Sequence, residues 1–155
     1  GSSFLPSDLL SALLYAQLCR FDEIFKKRCS IWSKYYKNLL DLEKKGKISL
    51  QPNTLYFSNK DTFSNAHIFY FLCESEDERN ALVKYLKLKG VQATSHFEPL
   101  HSSPMYRRLN NSSLLPQLVN TENCAKQIIR LPMFYDLKDD EIEYIIKIIK
   151  EFYNK

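Results

Sequence analysis

The sequence predicts an α+β domain, in which a small mixed or antiparallel sheet carries helices on one face and a long helical arm precedes it. Three observations predict this class. Apolar residues recur at helical spacing over most of the first 45 positions, strand-like runs are few, and a polar loop without a helix joins the first two of them. With 155 residues, 45% of them hydrophobic, the chain is long enough for one domain with its own core.

The arm is predicted to consist of two helices. Ser7 can cap the first, and Asp8 places a negative charge in its first turn. The second carries a wide apolar stripe that includes Trp32 and Tyr35, which we interpret as core or interface residues. We expect Gly46 to end this helix, because glycine readily adopts the left-handed conformation found just after helices.

The rest of the chain is predicted to alternate short strands with helices. Loops rich in polar residues fall at 51–64 and 110–116. The last helix has Lys138, a poor capping residue, at its cap position, although acidic residues follow it. In chain order, the predicted elements after the arm are strands at 48–50 and 66–73, a helix at 76–89, a strand at 91–96, and helices at 105–110, 117–129 and 139–153.

Composition and charge argue against several classes of function. The net charge of +4 is small and its basic residues are interleaved with acidic ones on helices, so we expect no nucleic-acid partner. With 3 glycines there is no glycine-rich phosphate loop, and no apolar run reaches the length of a membrane span. The 4 cysteines form no C-x-x-C pair and have no histidine at ligand spacing. We expect reduced, mostly buried thiols, a cytoplasmic location and no metal site.

The segment from His96 to His101 (HFEPLH) is the most interesting cluster of polar residues. It follows a predicted strand and precedes a proline-bounded turn, where sites are often built. A metal site would need more ligands, and the nearby serines carry no nucleophile motif. The residues alone leave a ligand contact and a satisfied core group equally open for His96. They favour a structural role for His101 and a buried, hydrogen-bonded His67.

Five blocks of sequence occur in an order that resembles the DegT/StrS-type sugar aminotransferases, which are pyridoxal-phosphate (PLP) enzymes of fold type I. The resemblance covers essentially the whole chain. Within the family it is nearest to the dTDP-4-amino-4,6-dideoxygalactose transaminases of enterobacterial common antigen synthesis. The blocks are GSSFLPSDL at 1–9, AQL at 16–18, NAHIFYF at 65–71, HFEPLH at 96–101 and RLPMFYDL at 130–137.

The resemblance implies that residues 1–155 form the C-terminal small domain of a homodimeric enzyme whose PLP-binding large domain, with its Schiff-base lysine, is absent. Such an enzyme moves an amino group from glutamate to C4 of a dTDP-4-keto-6-deoxyhexose, a nucleotide sugar used for surface polysaccharide or lipopolysaccharide. We expect the chain alone to be inactive and to self-associate through surfaces that it exposes. Two alternatives remain: a non-catalytic split-gene or pseudogene fragment acting as an interaction module, and an unrelated interaction domain that uses the arm.

The resemblance also implies site residues, none of them catalytic. Ser3 stands where the family commonly has the Asn of a G-x-N-x-R segment that reaches the cofactor phosphate, while Leu5 replaces its Arg and cannot make that contact. His96 matches a histidine that lies at the sugar, and Phe97 replaces a more frequent Tyr. His67 matches a strand histidine, which we read as an active-site neighbour on the dimer side.

Overall fold

A computed structural model describes residues 4–52, 65–109 and 118–154 of the chain. Residues 1–3, most of the predicted loop at 51–64 and the predicted loop at 110–116 lie outside these ranges. In chain order the elements are α1 (Asp8–Leu18), α2 (Phe21–Lys44), β1 (Ser49–Leu50), β2 (Phe69–Leu72), α3 (Glu76–Leu88), a 3-10 turn (Leu100–Ser102), α4 (Pro104–Leu109), α5 (Val119–Gln127), β3 (Ile128–Leu131) and α6 (Asp139–Tyr153).

The strands form one antiparallel sheet in the order β1-β2-β3, which confirms the predicted α+β class. Phe69 pairs with Leu131 and Leu72 with Ile128 at the two ends of the central ladder. Buried and half-buried residues alternate along both strands, because successive side chains point to opposite faces of a sheet. One face therefore carries the core.

The third strand is not where the sequence predicts it. The segment 91–96 contributes a single bridge, in which Thr94 and Arg130 exchange both backbone hydrogen bonds. The third strand is instead Ile128–Leu131, which pairs with β2 and whose first two residues were predicted as the end of the helix at 117–129. Helical spacing continues to Gln127, but β-branched Ile128 and Ile129 are better placed in the ladder beside β2. The prediction for β2 was also too long, since only Phe69–Leu72 is strand.

Local signals set the helix ends as predicted. The Ser7 hydroxyl accepts a hydrogen bond from the Leu10 amide at 3.3 Å, and α6 begins after Lys138. The Lys138 amide donates to the Glu141 carboxylate at 2.8 Å, which compensates for the poor capping residue. Gly46 follows α2 with φ of +68°, a conformation that costs other residues free energy.

The core lies between the sheet and helices α2, α3 and α6. Trp32 meets the Phe69 ring edge-on at 5.5 Å, and Tyr35 lies 5.2 Å from the same ring. The Tyr35 hydroxyl donates to the Pro132 carbonyl at 3.0 Å, so the predicted core role of both aromatic residues is confirmed. Leu82 of α3 and Ile149 of α6 are fully buried in the same cluster.

The beginning of the arm is exposed. No residue of α1 is buried, although six of its side chains are leucine or tyrosine at positions that remain more than half exposed: Leu9, Leu10, Leu13, Leu14, Tyr15 and Leu18. Two of the four cysteines, Cys19 and Cys124, are also exposed, so the prediction of mostly buried thiols is wrong for them. Across the described ranges, no helix is both long and apolar enough to cross a membrane.

Candidate substrate-side site

The bridge between Thr94 and Arg130 holds the start of the predicted site segment against the edge of β3. The Thr94 amide donates to the Arg130 carbonyl at 3.2 Å, and the Arg130 amide donates back at 2.7 Å. Because this pairing is antiparallel, the chain after Thr94 runs toward Ile128. Residues 95–98 then leave the sheet and are exposed. A sheet edge therefore presents His96 and Phe97 to solvent.

The Arg130 guanidinium fixes how the His96 ring can hydrogen-bond. Its Nη1 lies 3.5 Å from His96 Nδ1, at the long limit for a hydrogen bond. A guanidinium can only donate, so Nδ1 must accept, and the neutral ring then carries its proton on Nε2. His96 is thereby set as a donor toward an incoming oxygen atom. The Phe97 ring meets it edge-on at 5.3 Å and is 81% exposed.

Two cavities are lined by the segment 96–99. The first, of about 460 Å³, is the more polar of the two, and its charged lining is balanced between three basic and three acidic side chains: Arg79, Arg107, Lys126, Glu76, Glu98 and Glu122. The second, of about 540 Å³, is mainly apolar and is lined by residues that include Leu100, Thr121, Cys124 and Ile128. A ligand with one polar and one apolar end would fit across His96.

Arg79 and His101 build the walls of this region. Arg79 donates to the Lys126 carbonyl at 2.9 Å and lies 3.7 Å from Glu76, so it joins α3 to α5. His101 Nε2 lies 3.2 Å from the Glu122 carboxylate with only a tenth of its side chain exposed. This contact ties the 3-10 turn to α5, in agreement with the structural role that the sequence favours for His101.

His67 is placed differently from the prediction. It is exposed, so the expectation of a buried imidazole is wrong, but its Nδ1 does have a partner in Asn65 Oδ1 at 2.7 Å. It precedes β2 at the end where Phe69 pairs with Leu131, whereas His96 lies toward the Ile128 end of β3. Neither cavity lined by His96 includes His67. The structure thus brings His96 and Phe97 together and places His67 apart from them.

The remaining predicted contact, Ser3, lies outside the described residues. No lysine in residues 4–52, 65–109 and 118–154 is buried, and those residues hold no cluster of three or more potential metal ligands. The donors around His96 include two arginines and a lysine, which can bond oxygen acceptors. They do not fit the enclosed pyridine ring of a PLP cofactor, which needs a lysine and a carboxylate around it.

Sequence reasoning did not identify Arg130 as part of the site. The residue stands in the RLPMFYDL block, from which no site residue was predicted. Its role depends on the register of β3 against Thr94, a long-range pairing that no local pattern reveals. An arginine flanked by alternating buried residues (Ile129 and Leu131) is the signal that could have pointed to a strand with one polar face.

Solved structures of aminotransferases share this fold. An aminotransferase from Psychrobacter cryohalolentis matches with a TM-score of 0.84 at 17% identity, over 99% of this chain and 40% of its own. Helicobacter pylori PseC, an aminotransferase involved in the biosynthesis of pseudoaminic acid, matches with a TM-score of 0.82 at 19% identity, over 99% and 39%. Streptococcus pneumoniae Spr1654, described as a sugar aminotransferase and solved in its PMP form, gives 0.74 at 23%, over 96% and 35%.

The chain thus spans between 35% and 40% of the length of these three proteins. At these identities the likeness establishes the fold. The sequence pattern of one aminotransferase family matches residues 1–150, nearly the whole chain, and this match shows membership of the family in addition to the fold. The protein belongs to the DegT/DnrJ/EryC1/StrS aminotransferase family.

Proposed function

We propose that this chain is the C-terminal small domain of a PLP-dependent nucleotide-sugar aminotransferase and forms the substrate-side wall of its active site. The observation that carries the proposal is the placement of His96. The family match runs through this residue, and the chain presents it at a sheet edge, between two cavities, with its outward nitrogen set as a donor. Sugars and phosphates offer the oxygen acceptors that such a donor requires.

The two cavities suit the two parts of a nucleotide sugar. The polar one offers Arg107 and Lys126 to anionic oxygens, with carboxylates that can accept from sugar hydroxyls. The apolar one beside Phe97 offers Leu100 and Ile128 to a flat base. The substrate we propose is a dTDP-4-keto-6-deoxyhexose that receives an amino group at C4 from glutamate, as part of surface polysaccharide synthesis. The resemblance of the GSSFLPSDL, NAHIFYF and RLPMFYDL blocks supports this finer assignment.

PLP, when bound, supplies the chemistry of amino transfer by carrying the group from donor to acceptor. The described residues would hold the substrate against it and exclude water. We propose that the cofactor's lysine is not among these 155 residues and that the working enzyme is a homodimer, with Ser3 reaching a phosphate and His67 facing the site from the dimer side. The 4 free cysteines support a reducing compartment, such as the cytoplasm.

Amino transfer by the complete gene product tests the proposal. Glutamate, PLP and a dTDP-4-keto-6-deoxyhexose are supplied, and formation of the 4-amino sugar is followed by mass spectrometry. We expect His96→Ala to lower kcat/KM roughly tenfold, the loss of about one to two kcal/mol for a hydrogen bond to a polar ligand. Gln92→Ala is the matched control, because Gln92 is exposed on the same segment but lines a different cavity.

Failure has a clear form. A complete, folded gene product that binds PLP but transfers no amino group to any 4-keto nucleotide sugar would reject the substrate assignment. A product that neither binds PLP nor transfers an amino group would instead favour the non-catalytic interaction module.

A further inference from the structure

A second hydrogen-bonded arrangement lies where α2 meets the start of β2. Arg28, half-buried on α2, donates through Nε to the Ala66 carbonyl at 3.1 Å and through Nη2 to the His67 carbonyl. These bonds span 38 and 39 positions of sequence. One side chain therefore holds two successive peptide carbonyls of the chain that leads into β2.

The backbone of Ala66 adopts a conformation that is unfavourable for residues other than glycine. Ala66 has φ of +50° and is fully buried, although it is not glycine. The left-handed region is unfavourable for a residue that carries a Cβ, so it persists where surrounding contacts over-determine it. The fork of Arg28 is such a contact, since bidentate guanidinium bonds fix the geometry as well as the distance.

The turn also fixes the proton of the His67 ring. Asn65 Oδ1 lies 3.3 Å from the His67 backbone amide, which can only donate, so this atom is the amide oxygen. The same oxygen lies 2.7 Å from His67 Nδ1, which must therefore carry a hydrogen. In the neutral ring Nε2 is left as an acceptor, and within the described residues no hydrogen bond engages it. His67 therefore offers an acceptor at Nε2, whereas His96 offers a donor at Nε2.

We propose that Arg28 and Asn65 are positioning residues that present His67 Nε2 as an outward-facing hydrogen-bond acceptor for a hydroxyl or amino group of the substrate at the partner subunit's active site, since neither cavity beside His96 of the same chain includes His67. The inference rests on the proposed function, and it deepens it by giving His67 a defined chemical role. His67 would contact the ligand; Arg28 and Asn65 act through it. The exposed ring, the clamped backbone and the fixed tautomer together carry the assignment.

The tautomer is tested first, without any need for activity. The complete protein is labelled with ¹⁵N at histidine, and two-bond proton–nitrogen correlation spectra identify which ring nitrogen carries hydrogen, with His67→Gln to assign the signal. We expect the Nδ1–H form in the native protein, and its loss in Arg28→Gln and in Asn65→Leu. Arg20→Gln is the matched control, because Arg20 bonds Glu23 and does not contact the 65–67 turn.

Steady-state kinetics then test the link to substrate. Arg28→Gln, Asn65→Leu and His67→Ala should each raise KM for the nucleotide sugar roughly threefold to tenfold, the range of one hydrogen bond, with Arg20→Gln unchanged. Combining Arg28→Gln with His67→Ala should add little, because both remove the same contact.

Each outcome decides a separate point. Unchanged His67 nitrogen signals in folded Arg28→Gln and Asn65→Leu would overturn the positioning role, whatever the activity. Altered signals with an unchanged KM would overturn the substrate role of His67. If Arg28→Gln does not fold, Asn65→Leu decides, since it leaves the Arg28 bonds in place. A native protein that shows the Nδ1–H signal at His67 but transfers no amino group would reject the proposed function alone.

Discussion

Helix α1 and the central core contain similar apolar side chains, but those of α1 are exposed and those of the core are buried. In α1 the apolar residues are exposed, with Leu9 at 81% and Leu13 at 59%. In the core, Trp32, Phe69 and Phe71 have no exposed surface at all. Hydrophobic composition alone therefore does not determine burial. What differs is the partner: the core residues face a sheet and two or three helices, whereas the described residues bury no side chain of α1.

This difference shows which side chains stabilise the fold by being buried and which surface is available to a partner. Contiguous exposed apolar surface commonly marks an interaction site. The polar site segment lies apart from α1 and is held on the rigid sheet through Thr94 and Arg130. The described residues thus contain one buried core, whose sheet positions His96, and a separate apolar helix that has no buried residue.

Truncating a core side chain should have the largest effect. Phe71→Ala removes a fully buried ring from the central strand and should lower the free energy of unfolding by about 3–5 kcal/mol. Leu13→Ala in α1 should change it by less than about 0.5 kcal/mol, because its side chain is mostly exposed. Urea unfolding of both variants measures the contrast, and equal losses would show that α1 is part of the folding unit.

The reactivity of the cysteine thiols should differ between the same two regions. Cys19 lies exposed just after α1, whereas Cys73 lies buried beside β2. Burial raises the pKa of the Cys73 thiol from 9.0 to about 11, which lowers its thiolate fraction at neutral pH roughly hundredfold. We expect iodoacetamide to modify Cys19 and Cys124 early and Cys73 only on unfolding. Peptide mapping over time measures this, and early modification of Cys73 would mean that the core opens locally.

Charges on α1 should reduce self-association without unfolding the domain. Leu9→Lys combined with Leu13→Lys interrupts the apolar surface, so light scattering should give a smaller mass for this variant than for the unmodified chain. Leu88→Lys is the matched control, since Leu88 is 78% exposed at the end of α3 and outside the arm. A native chain that stays monomeric at high concentration would contradict the prediction.

Acid should destabilise the protein slightly, because it protonates Glu23, whose contacts join the start of α2 to the turn before α6. Hydrogen bonds from Arg20 and from the Tyr135 hydroxyl lower the pKa of Glu23 from 4.5 to about 2. Its contribution to stability is therefore complete above pH 4.5 and is lost as pH falls through about 2. Thermal midpoints measured across this range should fall less steeply for Glu23→Gln than for Glu143→Gln, an exposed control on α6. The effect is small because the group is solvent-exposed.

The contrast between the two regions also explains what sequence could predict. Helix ends followed local signals, so Ser7 and Gly46 were correctly assigned. The strand at Ile128–Leu131 was missed because its pairing with β2 links positions about 60 apart. The same non-local pairing brings Arg130 to His96, so the site segment was found from its motif but its orienting partner was not. His67 was expected to be buried, but it is exposed, and its carbonyl accepts a hydrogen bond from Arg28, a contact across 39 positions that composition cannot reveal.

The central claim, that these residues form a substrate-side wall and leave the cofactor's attachment elsewhere, has one direct test. The complete gene product is loaded with PLP, reduced with borohydride, digested and mapped by mass spectrometry. We expect a single pyridoxyl-modified lysine at a position outside these 155 residues. A stoichiometric modification on any lysine between residues 1 and 155 would contradict it.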